Sequence, residues 1–258
     1  MNIVVCLKQT PDTEAKIVLQ ADGKDVEKDK FKYIVSSYDE LAVEEGIKLK
    51  EKFGGTVTVV TVGTEKTHEQ LRTALAMGAD SAIQVWDPSL AAADSFVTAK
   101  VLSKAIQSVG FDIVLCGQKA MDTGASLVGG MLAEMLNVPQ AYLVTKLEYE
   151  NDKTVIAHRQ IEGGEEVLEV TLPALITAQR GLNTPRFPKL PDIMKAKKKE
   201  LKTLSLADLG LSADDVAPKV VTQELSLPPA KKAGKLFTNG EADVPELVRL
   251  LREEAKVI

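Results

Sequence analysis

Short, uninterrupted apolar runs alternate with segments of helical spacing through the first half of this chain. Residues 3–7 (I-V-V-C-L) form the first run, and residues 56–62 (T-V-T-V-V-T-V) are β-branched throughout, as suits a central strand. Residues 81–86 and 112–116 continue the series. Residues 39–53, 67–77, 94–109 and 123–136 carry apolar positions at helical spacing, with Gly54-Gly55 and Gly78 as stops. A strand that is apolar at nearly every position is buried on both faces. The pattern therefore predicts βαβ units and an α/β fold, a mostly parallel twisted sheet flanked by helices. Sheets of this kind take ligands outside the carboxyl ends of their strands, where the strand order reverses.

The second half changes character. Residues 142–149, 154–160, 166–172 and 174–178 read as strands, with turns at Asn151-Asp152 and Gly163-Gly164, and are expected to extend the sheet as added antiparallel strands. Residues 186–199 (R-F-P-K-L-P-D-I-M-K-A-K-K-K) hold Leu190 between two prolines, with a lysine run behind it. Proline fixes φ and lacks an N–H, so an exposed, stiff loop is expected there. It is either a docking device that holds out an apolar residue or a solvated basic turn, and composition alone favours the turn. Residues 205–208 (S-L-A-D) have the pattern of a helix start. Residues 218–235, with Pro228-Pro229 and Lys231-Lys232, read as a linker. It leads to a C-terminal helix with Pro245 at its start and a stripe of Val244, Leu247, Val248, Leu251 and Ala255. That helix packs either on its own core or on a partner subunit.

Composition narrows the function. At 258 residues with 45% apolar and 27% charged content, the chain can bury a sizeable core. A net charge of −5 and an aromatic content of 4% argue against a nucleic-acid partner. No apolar run reaches the roughly 18 residues of a membrane span, so no membrane insertion is expected. The first residues enter a strand-like run without a charged leader, and Cys6 and Cys116 sit in buried runs as core thiols, so the expected location is the cytoplasm. His68, read as exposed on a helix, and His158 have no metal-ligand spacing with either cysteine. The acid pairs Glu44-Glu45 and Glu165-Glu166 read as solvated surface. The chain has no nucleophile elbow, Walker loop or dinucleotide glycine motif, which suits a carrier or binding subunit better than a hydrolase.

Residues 117–130 (G-Q-K-A-M-D-T-G-A-S-L-V-G-G) are the best candidate site. They follow a strand and lead into a helix, with Asp122 and Thr123 as candidates for its N-cap. Small residues let a ligand approach the backbone, and free N–H groups at a helix start favour a phosphate. Tight helix–sheet packing explains the same glycines equally well.

Three stretches carry a resemblance to a known family. In residues 157–177, Arg159, the Glu162-Gly163-Gly164 cluster, Glu166, Leu168 and the ending Pro173-x-Leu175-Ile176-Thr177 match a family signature position by position. Residues 74–80 (A-L-A-M-G-A-D) match a second block, and residues 183–199 look like the family's recognition loop. The chain resembles the electron-transfer flavoprotein small (beta) subunit, from the Lys8-Gln9 region to about Gly210.

The resemblance implies an adenine-nucleotide-binding, Rossmann-like fold and a heterodimer with a larger alpha subunit. That subunit holds most of a redox FAD, and the small subunit shields the flavin ring. It also implies a second, buried nucleotide in this chain: AMP in most members, a second FAD in electron-bifurcating ones. By position, that nucleotide is expected to meet Cys6, Ser36, Ser37, Tyr38, Asp39 and Val62. The rest of the implied contact set is Gly117, Gln118, Lys119, Ala120, Met121, Asp122, Thr123, Gly124, Ala125, Ser126, Leu127 and Val128. Bifurcating members read D-G-D-T-A-Q-V-G where this chain keeps only Asp122 and Val128-Gly129, and the apolar Leu127 removes a polar side chain that a longer diphosphate would use. Residues 8–13 (K-Q-T-P-D-T) and Tyr38-Asp39 lean the other way. The balance favours AMP.

The implied role is an electron carrier with no catalytic acid–base set, supplied by acyl-CoA or other flavin dehydrogenases. Leu190, Pro191, Ile193, Met194 and Lys195 are the implied partner-binding residues, with Leu190 as the anchor. Lys197, Lys198 and Lys199 either steer the encounter or are simply solvated. Rival readings are a stand-alone universal stress-like nucleotide-binding protein and an ATP pyrophosphatase. The second needs a Ser-Gly-Gly loop where this chain has Leu7-Lys8-Gln9-Thr10. The expected organisation is a nucleotide-binding α/β domain over 1–185, a recognition loop over 186–200 and a C-terminal arm and helix over 201–258.

Overall fold

The computed structural model describes residues 1–230 and 233–258, so Lys231-Lys232 of the expected linker lie outside the described residues. The strands are β1 (Asn2–Cys6), β2 (Gln9–Pro11), β3 (Tyr33–Val35), β4 (Thr56–Val62), β5 (Ser81–Val85), β6 (Ile113–Gly117), β7 (Gln140–Tyr149), β8 (Thr154–Ile161), β9 (Gly164–Thr171), β10 (Ala174–Ala178) and β11 (Leu201–Leu204). The helices are α1 (Ser37–Phe53), α2 (His68–Met77), α3 (Ser95–Val109), α4 (Val128–Leu136), α5 (Leu190–Ala196) and α6 (Val244–Glu253).

Among the described residues nine strands form one sheet in the order β11-β5-β4-β1-β6-β10-β7-β8-β9, and β2 and β3 form a separate antiparallel pair. Every neighbouring pair from β11 to β7 is parallel, and β7, β8 and β9 end the sheet antiparallel. The α/β fold read from the sequence holds. Strand β10 is a correction: it lies between β6 and β7, parallel to both, and is not an added antiparallel strand. All of its residues are buried, which is the composition of a central strand covered on both faces. Strand β11 has no counterpart among the strands expected from the sequence. It lies just past residue 200, and Leu201–Leu204 pairs with β5 as the sheet's edge.

Alternation along the central strands divides the interior into two cores. Ile3 and Val5 of β1, with Ile113 and Leu115 of β6, face α1 and α2; Val4, Cys6, Val114 and Cys116 face α3 and α4. Helix α3 starts where the side chain of Asp94 accepts the N–H of Val97 at 2.9 Å. Helix α1 lies so close to the sheet that Gly46 is required. A Cβ there would meet the side chains of Val5 at 3.0 Å and Ile3 at 3.3 Å. Gly117 is more constrained still, because a Cβ on it would run into the carboxylate of Asp39 and the backbone of Tyr38.

Several polar residues are not where spacing placed them. Glu44 and Glu45 on α1 are buried, not solvated. Glu44 accepts from Arg186 Nε and Nη2, each at 2.9 Å; Glu45 accepts from Asn183 Nδ2 at 2.9 Å and Tyr149 Oη at 3.0 Å. A buried carboxylate is tolerated only with such partners, and these come from distant parts of the chain. His68 is half-buried, with Nε2 2.7 Å from Oε1 of the fully buried Gln84. Lys199 is no free surface charge: its Nζ donates to the carbonyls of Leu75 at 2.9 Å and Ala79 at 2.5 Å. Glu165 and Glu166 are exposed as expected, beside His158 and Arg159 across the β8–β9 pair. Beyond β11 the chain crosses back over the molecule, with Lys219 and Val220 donating to Asp94 and Leu225 to Gly23. Helix α6, with Pro245 in its first turn, buries none of its residues.

A Gly117→Ala substitution is expected to push the start of α1 away from β6 and lower stability by about 1–3 kcal/mol, the usual cost of overpacking. Denaturant unfolding measures it as a lower midpoint at unchanged slope.

Candidate functional site

The carboxyl ends of β1, β4 and β6, together with Trp86 just beyond β5, border a cleft of about 240 Å³. The amino-terminal turns of α1, α3 and α4 complete it. The chain runs from β1 out to β4 and β5 on one flank and returns to β6 on the other. The cleft thus sits at the switch point of the sheet, where parallel α/β folds bind ligands.

Asp39, in the first turn of α1, is 6% exposed and faces this cleft. Its carboxylate accepts the backbone N–H of Lys8 at 2.8 Å and of Gly117 at 2.9 Å. Burial pushes its pKa up to about 7, against the pull of those two amides and the Lys8 charge and with a further push from Asp122. Burial likewise raises the thiols of Cys6 and Cys116 far above the usual range, so both line the cleft as neutral, apolar groups.

Residues 118–127 form an irregular loop, and α4 begins only at Val128, five residues later than the spacing predicts. Asp122 and Thr123 therefore do not cap α4. Asp122 Oδ1 instead accepts the N–H of Thr123 and the Nζ of Lys8, both at 2.8 Å. The chain enters the helix through Ser126, whose φ of 56° is left-handed, a conformation costing about 1–2 kcal/mol for a residue with a Cβ. Tyr142 Oη anchors the loop by donating to the carbonyls of Gln118 at 3.3 Å and Ser126 at 3.1 Å. Among the described residues none accepts the backbone N–H groups from residue 125 to residue 130. Of these residues, Ala125 to Gly129 line the cleft, at the positive end of α4. The side-chain Oε1 of Gln118, on the cleft wall, is buried and also lacks a partner.

Of the expected contact set, Cys6, Asp39, Val62, Gly117, Gln118 and Lys119 line the cleft, as do Ala120, Thr123, Ala125, Ser126, Leu127 and Val128. The structure does not bring the remaining ones to its wall. Ser36 is fully buried behind it with Oγ unpaired, and Ser37 starts α1. The Tyr38 ring lies 5.9 Å from Lys119 Nζ and 5.7 Å from the Arg180 guanidinium. Met121 packs against the α1-side core, Asp122 pairs with Lys8, and Gly124 closes a turn onto Ala120. Sequence reasoning missed Trp86, Leu90, Ser95, Thr98 and Leu102, which form the α3 side of the cleft. The carboxyl-end rule applied to β5, with the Asp94 cap, points to that side. Lys8 and Cys116 also line it.

The segment after Arg186 is not loop throughout. It forms α5, with Pro191 in the first turn, where a missing N–H breaks no helical bond. Leu190 is 73% exposed, Phe187 is 93% exposed, and Ile193, Met194 and Lys195 are exposed beside them.

The fold and cleft define a doubly wound α/β protein with a ligand cleft at its switch point. Comparison with known proteins goes further. Residues 26–209 match the electron transfer flavoprotein domain. The chain is 48% identical over 260 residues to a Bacillus subtilis protein named electron transfer flavoprotein subunit beta, covering 100% of both. It is 39% identical over 257 residues to one of the same name from Thermoanaerobacterium thermosaccharolyticum, covering 98% of this chain and 97% of that one. It is 36% identical over 260 residues to one from Sus scrofa, covering 100% of this chain and 99% of the other. The chain belongs to the electron transfer flavoprotein family, among the proteins named as its beta subunits. Flavin-based electron transfer is the family's role.

The pKa of Asp39 gives a stability window. The unfolded chain releases this proton near 3.8 and the folded chain near 7, so the folded state holds the extra proton in between. Its contribution to stability is complete below 3.8 and declines as pH rises through 7. Asp39→Asn removes this slope and leaves one of the two amides facing an NH₂ group, a loss of about 1–3 kcal/mol. Urea unfolding from pH 4 to pH 8 measures both effects.

Proposed function

We propose that this chain is the beta subunit of a heterodimeric electron transfer flavoprotein and that its cleft holds AMP. The relatives are themselves named as beta subunits, which supports pairing with a larger alpha subunit. In this reading the alpha subunit holds most of a FAD and this chain covers the flavin ring. FAD, when bound, supplies the redox chemistry, and no residue of this chain has to act as acid or base for it.

One observation carries the nucleotide assignment: residues 125–129, whose backbone N–H groups are unpaired, line a small cleft. Backbone donors at a helix start suit phosphate oxygens. The unpaired Gln118 Oε1 is an acceptor for an amino group of the base, and Val62, Trp86, Leu102 and Leu127 offer apolar contact to a flat ring. The cleft is small, about 240 Å³, and the apolar Leu127 on its wall offers no hydrogen bond to a longer diphosphate, which supports a mononucleotide. A nucleotide bound only by the folded chain stabilises it.

Electrons come from acyl-CoA or related flavin dehydrogenases that dock on α5, with Leu190 as the anchor in an apolar pocket. Lys195, Lys197 and Lys198 stand exposed and speed the encounter. Two buried, unpaired thiols are in keeping with the reducing cytoplasm.

Denaturing the purified heterodimer and identifying what it releases is expected to give one FAD and one AMP. Two FAD and no AMP would assign the chain to the bifurcating form. Trp86 is the chain's only tryptophan and lies on the cleft wall, so its emission is expected to shift when AMP is added to nucleotide-free protein. Leu190→Ala is expected to weaken electron acceptance by about 2 kcal/mol, the loss typical of an anchor residue. Steady-state assays at varied dehydrogenase concentration measure it.

A further inference from the structure

The α5 segment adds little to the core, since Ala196 is its one buried residue. Yet both of its ends are fixed by charged side chains that reach into other elements. At the leading end, Arg186 Nε and Nη2 each donate to Glu44 at 2.9 Å. Its Nη1 and Nη2 donate to Glu51 at 2.6 and 3.0 Å, and its backbone N–H donates to Glu44 at 3.1 Å. Asn183, three residues earlier, donates to the Leu41 carbonyl at 3.0 Å and to Glu45. At the trailing end, Arg72 Nη1 donates to the carbonyls of Ala196 and Lys199, both at 2.7 Å. Lys199 Nζ bonds in turn to the last carbonyls of α2 and the turn after it. Between the clamps stand the exposed side chains of Phe187, Leu190, Ile193 and Met194.

We propose that Arg186 and the Arg72–Lys199 pair are positioning residues that hold this apolar ridge rigid for the electron-donating partner. They do not touch that partner; they lower the ordering cost of docking by fixing the ridge before encounter. A planar guanidinium that grips two carboxylates sets orientation as well as distance, which an ammonium does not. The inference rests on the reading of α5 as the dehydrogenase-binding segment.

The experiment compares wild-type, Leu190→Ala, Arg186→Ala and Arg186→Lys heterodimers in electron acceptance from a medium-chain acyl-CoA dehydrogenase. Flavin content and melting temperature are recorded for each. Arg186→Ala is expected to raise KM for the dehydrogenase about tenfold at little change in kcat, the loss that ordering two or three interface side chains would bring. Arg186→Lys is expected to recover only part of it. Amide exchange at residues 187–195 is expected to quicken in Glu51→Gln, which loosens half of the clamp and keeps Glu44 paired should Arg186→Ala fail to fold. A raised KM for Leu190→Ala with wild-type KM for Arg186→Ala overturns the positioning role alone. Unchanged KM in both variants overturns the docking reading and the inference with it. A lower melting temperature or lower kcat without a change in KM makes Arg186 a fold-stabilising residue and also overturns the inference.

Discussion

The carboxylate of Asp39 accepts one amide just beyond β1 and another at the end of β6. A helix start is thereby tied to two neighbouring central strands at the place where the sheet reverses direction. Gly117 is forced by that bond, since no side chain fits between β6 and Asp39. The cleft inherits its floor from the same contact. If α1 were displaced here, Cys6, Gly117 and the loop after β6 would no longer share one edge. Burial favours the neutral acid and the two amides favour the anion, so the same group is both a structural tie and a titrating one.

Much of this was legible in the residues. β1, β4, β5 and β6 carry apolar residues on both faces, the pattern of strands in a covered parallel sheet. The loop after β6 was recognisable as a site because glycines and small residues follow a strand and precede a helix. Its geometry was not. Asp122 and Thr123 have the chemistry of caps, but Lys8, more than a hundred residues away, takes the Asp122 carboxylate. Ser126 then makes the entry into α4 by a conformation that spacing does not signal. Glu44, Glu45 and Lys199 fail for a related reason. Charge in a sequence reads as surface, and only the folded chain brings Arg186, Asn183 and the α2 carbonyls to meet it. Strand β10 reads as antiparallel because it follows antiparallel strands in the chain, although it lies among the parallel ones in space.

Helix α1 links the two working surfaces. Its first turn supplies Asp39 to the cleft, and its later turns supply Glu44, Glu45 and Glu51 to the residues that lead into α5. At Gly46 it comes close against β1. One helix thus supplies both a wall residue of the cleft and the leading attachment of the exposed apolar ridge, whose trailing end is held by α2.

A sheet that is not a barrel has two raw edges, and this one treats them differently. One edge, β11, is only Leu201–Leu204 and carries Lys202. The other, β9, is twice as long and mostly exposed, and would offer a ready template to another molecule of the same chain. It carries Glu165, Glu166 and Glu169 along that edge. Like charge along an exposed edge disfavours in-register pairing with a second copy, so this edge is defended by the side chains it carries.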